Sequence, residues 1–201
     1  MKYGSGKFIV FEGIDGSGKS TLCDMLYNYY ISKKFPAVKI FEPTDGRWGK
    51  EIRKMLRNES PPSIQDQMRL FLLDREEDAE KNIKPALMEG KTVIMDRYYY
   101  SNAAYQGAMG LSPDFIIDKN IGLGFPEPDR IYLIDIDPEA AIQRIMKRNK
   151  KRTDFFEKKN FLKKVREIYH TIANERFLII DGSMKPSDLL EIIKKDLVTI
   201  R

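Results

Sequence analysis

Apolar positions gather into five short runs along the chain: Phe8–Glu12, Val38–Glu42, Thr92–Asp96, Arg130–Asp135 and Phe177–Asp181. Most are almost continuously apolar and lack the strict alternation of a strand with one wet face. That pattern predicts parallel strands buried on both sides. Glu12, Glu42 and Asp96 each close a run with a carboxylate at the edge of a loop. Open parallel sheets bind ligands beyond the carboxyl ends of their strands, so these carboxylates fall where a site is expected.

Between the runs lie helical stretches with readable caps. One extends from Lys19 to about Lys33. Ser63 with Asp66 forms a capping-box pattern opening a long helix to about Glu89, and Gly90 follows as a stop. Ser112-Pro113 and Asp137-Pro138 each set a cap residue before a proline at the first helical position. A last helix starts near Pro186 and runs to the C-terminus. Strands and helices alternate along the chain, with two helices in each of the three middle connections. This predicts an α/β fold: a five-stranded parallel sheet flanked by helices and wound by right-handed crossovers. No internal repeat or low-complexity linker interrupts it, so residues 1–201 read as one domain.

Composition narrows the class without deciding it. Hydrophobic residues make up 42% and charged residues 32%, as in an ordinary globular chain. The excess of 35 basic over 30 acidic residues gives a net charge of +5, which suits polyanionic substrates as well as weak nucleic-acid binding. Cys23 is the only cysteine and His170 the only histidine. An intramolecular disulfide and a histidine-clustered metal centre are therefore excluded. No stretch approaches the roughly 20 apolar residues of a membrane span, and Phe8–Phe11 is too short for a signal sequence. A cytoplasmic location with no membrane partner is expected.

The strongest chemical signal is Gly13-Ile14-Asp15-Gly16-Ser17-Gly18-Lys19-Ser20, a complete G-x-x-x-x-G-K-[ST] between a predicted strand and a predicted helix. Its glycines allow backbone N–H groups to wrap phosphate oxygens at a helix N-terminus. Lys19 brings a charge to the β- and γ-phosphates of a nucleoside triphosphate, and the Ser20 hydroxyl is placed to ligate Mg²⁺. Switches, motors and kinases share this loop. A GTP-binding switch would carry Asn-Lys-x-Asp after a strand, and that tetrapeptide does not occur.

Three further groups suit an acceptor substrate. Phe71 and Arg75 fall four residues apart on one helix face, with Asp74 beside them. They serve either as core and solvated charge or as a ring and guanidinium for a nucleobase. Asp96 ends the third strand, where a carboxylate can hold metal-bound water, and Arg97 follows at the sheet edge. In a helix over 101–106, Asn102, Tyr105 and Gln106 would share a polar wall. Finally, Lys147-Arg148-Asn149-Lys150-Lys151-Arg152 is either a solvated basic turn or a mobile lid, about residues 147–157, whose arginine closes over a transferring phosphoryl group.

Taken together, these residues resemble thymidylate kinase, within the nucleoside monophosphate kinase group. The resemblance runs through Phe11–Thr21, Glu42-Pro43, Leu70–Arg75, Ile83–Leu87, Asp96-Arg97-Tyr98, Ser101–Gly107, Pro128-Asp129 and Ile180-Asp181-Gly182, and is most specific from Asp96 to Gly107. It implies ATP as phosphate donor with Mg²⁺, dTMP as acceptor, a role in dTTP synthesis, a homodimer and no nucleic-acid partner. By position it implies that Gly13–Thr21 cradle the donor phosphates and that Phe71 stacks on thymine while Arg75 bonds to the base. Arg97, with Arg53 as a second candidate, binds the acceptor phosphate, and Asp15 faces the acceptor. Asn102, Tyr105 and Gln106 line the sugar and base, and Pro43 belongs to the same acceptor site. Ser20 and, through water, Asp96 hold the metal.

Two departures from the family stand out. The usual glycine-glycine-threonine after Glu42-Pro43 is replaced by Thr44-Asp45-Gly46-Arg47-Trp48-Gly49. The lid carries Asp154-Phe155-Phe156-Glu157 in place of an Asp-Arg-x-x-Glu pattern. With Ser17 in the glycine loop, the resemblance leaves Arg148 or Arg152 as the catalytic lid arginine, Arg152 preferred. A kinase for another nucleotide or deoxynucleoside, or a non-catalytic nucleotide-dependent binding protein, are the competing functions.

Overall fold

The computed structural model describes residues 6–58, 60–149 and 155–199, the side chains of 148–149 and 155–157 apart. Five strands, β1 (Phe8–Glu12), β2 (Ala37–Phe41), β3 (Thr92–Asp96), β4 (Arg130–Asp135) and β5 (Phe177–Asp181), form one sheet in the order β2-β3-β1-β4-β5. Every pairing is parallel, as the continuous apolar runs predict.

Period-two side-chain direction divides the core into two layers. Phe8 and Val10, Val93 and Met95, and Ile131 and Leu133 point to one face. Ile9 and Phe11, Ile94, and Tyr132 and Ile134 point to the other, against α1 (Lys19–Ser32) and α9 (Pro186–Leu197). The first face is covered by α3 (Ile64–Asp78), α4 (Lys84–Met88), α5 (Tyr99–Ala108), α6 (Pro113–Gly122), α7 (Pro138–Asn149) and α8 (Phe155–Ile172). Tyr98, Tyr99 and Tyr100 are all buried in this layer, and Cys23 is buried in the other. α2 (Arg47–Met55) packs beside α3.

The caps act as expected, with Asp137 Oδ1 accepting from the Glu139 backbone N–H at 2.8 Å at the start of α7. Ser63 Oγ accepts from the Asp66 backbone N–H at 3.1 Å, and Ser112 Oγ accepts from that of Phe115 at 3.2 Å. The long helix predicted to run to Glu89 is interrupted, with a π-helical turn over Ala79–Ile83 separating α3 from α4. Pro85 is the physical reason. It has no N–H for the carbonyl four residues back and its ring crowds that position, and a widened turn relieves both.

Strand β1 is central and fully buried, with β3 on one side and β4 on the other. After β1 the chain builds first towards β2 and β3 and then crosses to β4 and β5. The loop leaving β1 therefore opens into the crevice where the winding reverses.

Candidate active site

That loop is the glycine-rich segment. Gly13 has φ +140° and a Cβ there would lie 2.6 Å from the Ile134 carbonyl oxygen; Gly16 has φ +86° and a Cβ would lie 2.4 Å from that of Ala141. Both positions thus need glycine for conformation and for close approach. α1 begins at Lys19 after Gly18, with no side chain capping its first turn, so its leading N–H groups remain for an anion. Lys19 is buried and its Nζ donates to the Ile14 carbonyl at 2.9 Å and to Ser17 Oγ at 3.4 Å. Burial, then the nearby Arg97 charge, push its ammonium down to about 8, against the pull of Asp15 and Asp96.

Ser20 Oγ donates to Asp96 Oδ2 at the head of α1. The other oxygen, Asp96 Oδ1, is buried without a hydrogen-bond partner among the described residues. An unsatisfied carboxylate oxygen beside a hydroxyl is a donor set that fits a hard cation such as Mg²⁺ or its coordinated water.

Arg97 follows at once and has φ +70°, outside the usual range for a side chain of its size. Its Nη2 reaches Asp15 Oδ1 at 2.5 Å, and its Nη1 donates to Ser101 Oγ at 2.9 Å and to the Gly13 carbonyl at 3.3 Å. Burial alone would raise the Asp15 carboxyl, but Arg97 and then Lys19 outweigh it and leave the group below its ordinary range. Tyr105 Oη accepts from the Asp15 N–H at 3.0 Å, and the Arg97 guanidinium lies 5.3 Å from its ring centre. Burial pushes the Tyr105 phenol up to about 12, with Arg97 opposing, so it stays neutral.

A second, deeper cluster surrounds Arg75, which is 1% exposed. Its Nε and Nη2 engage Glu42 side-on; Nη2 also donates to Asn102 Oδ1 at 2.7 Å and Nη1 to Asn120 Oδ1 at 2.8 Å. Burial raises the Glu42 carboxyl while Arg75 pulls it down. Gln106 is buried at 3.4 Å from Asn102 Nδ2. Phe71 is half-buried and belongs to neither core cluster. Asp74 holds the loop after β2, accepting from the Thr44 N–H at 2.8 Å and the Thr44 hydroxyl at 2.6 Å. Arg53 donates to the Pro43 carbonyl at 2.8 Å and to Asp45 at 3.1 Å. The unusual loop is therefore anchored at its start, through Pro43, Thr44 and Asp45.

A cleft of about 740 Å³ runs along the glycine loop from Asp96 and Arg97 to Arg144, Gly182 and Met184. Arg144 bridges its far end, donating to the carbonyls of Gly182 at 3.0 Å and Ser17 at 3.3 Å. Of the lid, Arg152 and the Arg148 side chain lie outside the described residues.

The site has supporting contacts that no sequence motif marked. Glu12, buried at the end of β1, accepts from the N–H groups of Tyr98 and Ser101 and from the hydroxyls of Ser101 and Tyr169, the last at 2.8 Å from α8. Tyr169 and Asn120 arrive from helices distant in sequence. Only a spatial neighbour identifies them.

A family model described as thymidylate kinase matches residues 11–193. The chain is 41% identical over 191 residues to a thymidylate kinase of Leptospira borgpetersenii serovar Hardjo-bovis, covering 95% of this chain and 93% of that one. It is 38% identical over 187 residues to a probable thymidylate kinase of Archaeoglobus fulgidus, at 93% and 92% coverage. It is 42% identical over 178 residues to a probable thymidylate kinase of Thermococcus onnurineus, at 85% of each chain.

Proposed function

The chain belongs to the thymidylate kinase family and transfers a phosphoryl group to dTMP, forming dTDP, and from that premise we propose how its own residues do so. ATP is the donor, with its phosphates on Gly13–Thr21 and Lys19 against the β- and γ-phosphates. The observation that carries this reading is Arg97, which bonds at once to the Gly13 carbonyl and to Asp15 and so lies against the donor loop. An acceptor phosphate held by Arg97 is thereby brought to the γ-phosphate, with Arg53, bonded to the Pro43 carbonyl, as the second candidate. Asp15 keeps the guanidinium aimed. Transfer is in line and needs no covalent enzyme intermediate, so positioning and charge carry the catalysis.

Ser20 and Asp96 would hold Mg²⁺, whose charge, when bound, neutralises phosphate oxygens. On the acceptor side, Phe71 stacks on the thymine ring and Arg75 donates to its edge. Asn102, Tyr105, Gln106 and Pro43 enclose the sugar and base. The test is turnover of dTMP, dUMP and dCMP by the unaltered chain and by Phe71→Ala. The unaltered chain should favour dTMP. Losing the ring should weaken dTMP binding by about 1–3 kcal/mol, the value of one base–aromatic stack. Unchanged affinity would return Phe71 to a packing role, and preference for another base would dissolve the pocket assignments.

We further propose a cytoplasmic homodimer that supports dTTP synthesis. The lone, buried thiol of Cys23 suits a reducing compartment, and Phe115 and Ile121 on α6 and Leu123 just after it leave apolar surface exposed. A monomer by light scattering, or recovery of the protein outside the cytoplasmic fraction, removes the respective half.

A further inference from the structure

Arginine has five N–H donors in a rigid planar fork. At Arg75 four of them are committed: one on Nε and one on Nη2 to Glu42, the second on Nη2 to Asn102, and one on Nη1 to Asn120. A single Nη1–H is left. The plane of the fork is set by Glu42 and by the Tyr98 ring, whose centre is 5.0 Å away. Glu42 and Asn102 both grip the Nη2 side, so Asn120 is the sole partner on Nη1 among the described residues.

Asn120 is itself fully oriented. It is 1% exposed on α6, and its Nδ2 donates to the Ile116 carbonyl at 2.7 Å. That bond assigns the amide nitrogen and leaves Oδ1 as the atom facing Arg75. We infer that Asn120 is a positioning residue of the acceptor site, directing the one free N–H of Arg75 at a base carbonyl. This rests on the reading that Arg75 faces the base. It also gives selectivity a source. A lone, aimed donor accepts a pyrimidine offering a carbonyl and rejects one offering an amino group in its place.

The test is steady-state kinetics of Asn120→Ala and Asn120→Asp, with Arg75→Lys measured alongside. Asn120→Ala should raise KM for dTMP about tenfold, the scale of one bond to a charged group. Its kcat and its KM for ATP should stay within about twofold, and its preference for dTMP over dCMP should narrow. Asn120→Asp retains an acceptor for Nη1 in either protonation state and should keep a KM for dTMP near that of the unaltered chain. A purely structural asparagine predicts otherwise: a lowered melting temperature in Asn120→Ala with the dTMP and ATP constants unmoved, and that result overturns the inference. So does a rise of about tenfold in the KM of Asn120→Asp for dTMP, which decides the matter even where the alanine variant fails to fold. If Arg75→Lys weakens dTMP binding and Asn120→Ala does not, Asn120 loses its role and the base pocket stands. If Arg75→Lys leaves dTMP unaffected, the base-pocket reading itself is lost.

Discussion

Lys19→Ala should lower turnover by roughly 10³-fold or more, the scale of a charge that stabilises a transferring phosphoryl group, while melting at pH 7 no lower than the unaltered chain. The two halves have one cause. Lys19 is 5% exposed and its ammonium is held to about 8, chiefly by burial and then by Arg97. Its folded-state value is below the ordinary lysine value, so between pH 8 and about 10.4 the unfolded chain binds more protons. Stability from this group therefore rises with pH through that window, and below pH 8 the buried charge is a cost on the order of 3 kcal/mol, at about 1.4 kcal/mol per unit. Alanine removes the cost and forfeits the bonds to Ile14 and Ser17. Thermal melts at pH 7 and pH 9.5, beside a coupled ADP assay, read both halves. The variant's relative advantage should shrink at the higher pH. A variant that melts well below the unaltered chain at pH 7, or one that keeps near-normal turnover, contradicts the account. Donor phosphates would repay the buried charge directly, so a group poorly placed for stability is well placed for chemistry.

Lys19 also shows why some of the site was legible in advance and some was not. The phosphate loop is contiguous, and its conformational demands fall on residue types. Gly13 and Gly16 take backbone angles and close approaches that exclude a Cβ, so the spacing alone announces the turn. The strands were legible for a similar reason, since a run such as Phe8–Phe11 sends successive side chains into two buried layers. Arg75 was visible as a residue on the face of Phe71, but its partners were not. Glu42 comes from the end of a strand, Asn102 from α5 and Asn120 from α6. Nothing in their spacing says that they meet. Pro85 breaks only the local hydrogen-bond pattern: its consequence, the widened turn at Ala79–Ile83, joins two stretches that are both helical, so the sequence shows a single helix there. Tyr169 was hidden in the same way as Asn120: it reaches Glu12 across 157 positions of sequence.

Arg97 joins both themes, because its chemistry and its backbone can be separated by two substitutions at one position. Arg97→Ala and Arg97→Gly each remove the bonds to Gly13, Ser101 and Asp15, and with them the proposed grip on the acceptor phosphate. Both should lose about 10²–10³-fold in kcat/KM for dTMP, as when one preorganised charge-stabilising donor is deleted. They should differ in stability. At φ +70° a residue with a Cβ pays roughly 1–2 kcal/mol that glycine avoids, offset in part by the greater freedom of glycine in the unfolded chain. The glycine variant should then be the more stable of the pair, by about 1 kcal/mol in denaturant melts, with equal loss of activity. The strain is held in place by the Arg97 N–H on the Phe11 carbonyl at 3.0 Å, which continues the β1–β3 ladder past the end of the strand. That bond turns the side chain back over the glycine loop. If glycine and alanine prove equally stable, the left-handed backbone is not a cost at this position. If either variant retains dTMP turnover, Arg97 does not hold the acceptor, and the juxtaposition of Arg97, Asp15 and the glycine loop serves packing alone.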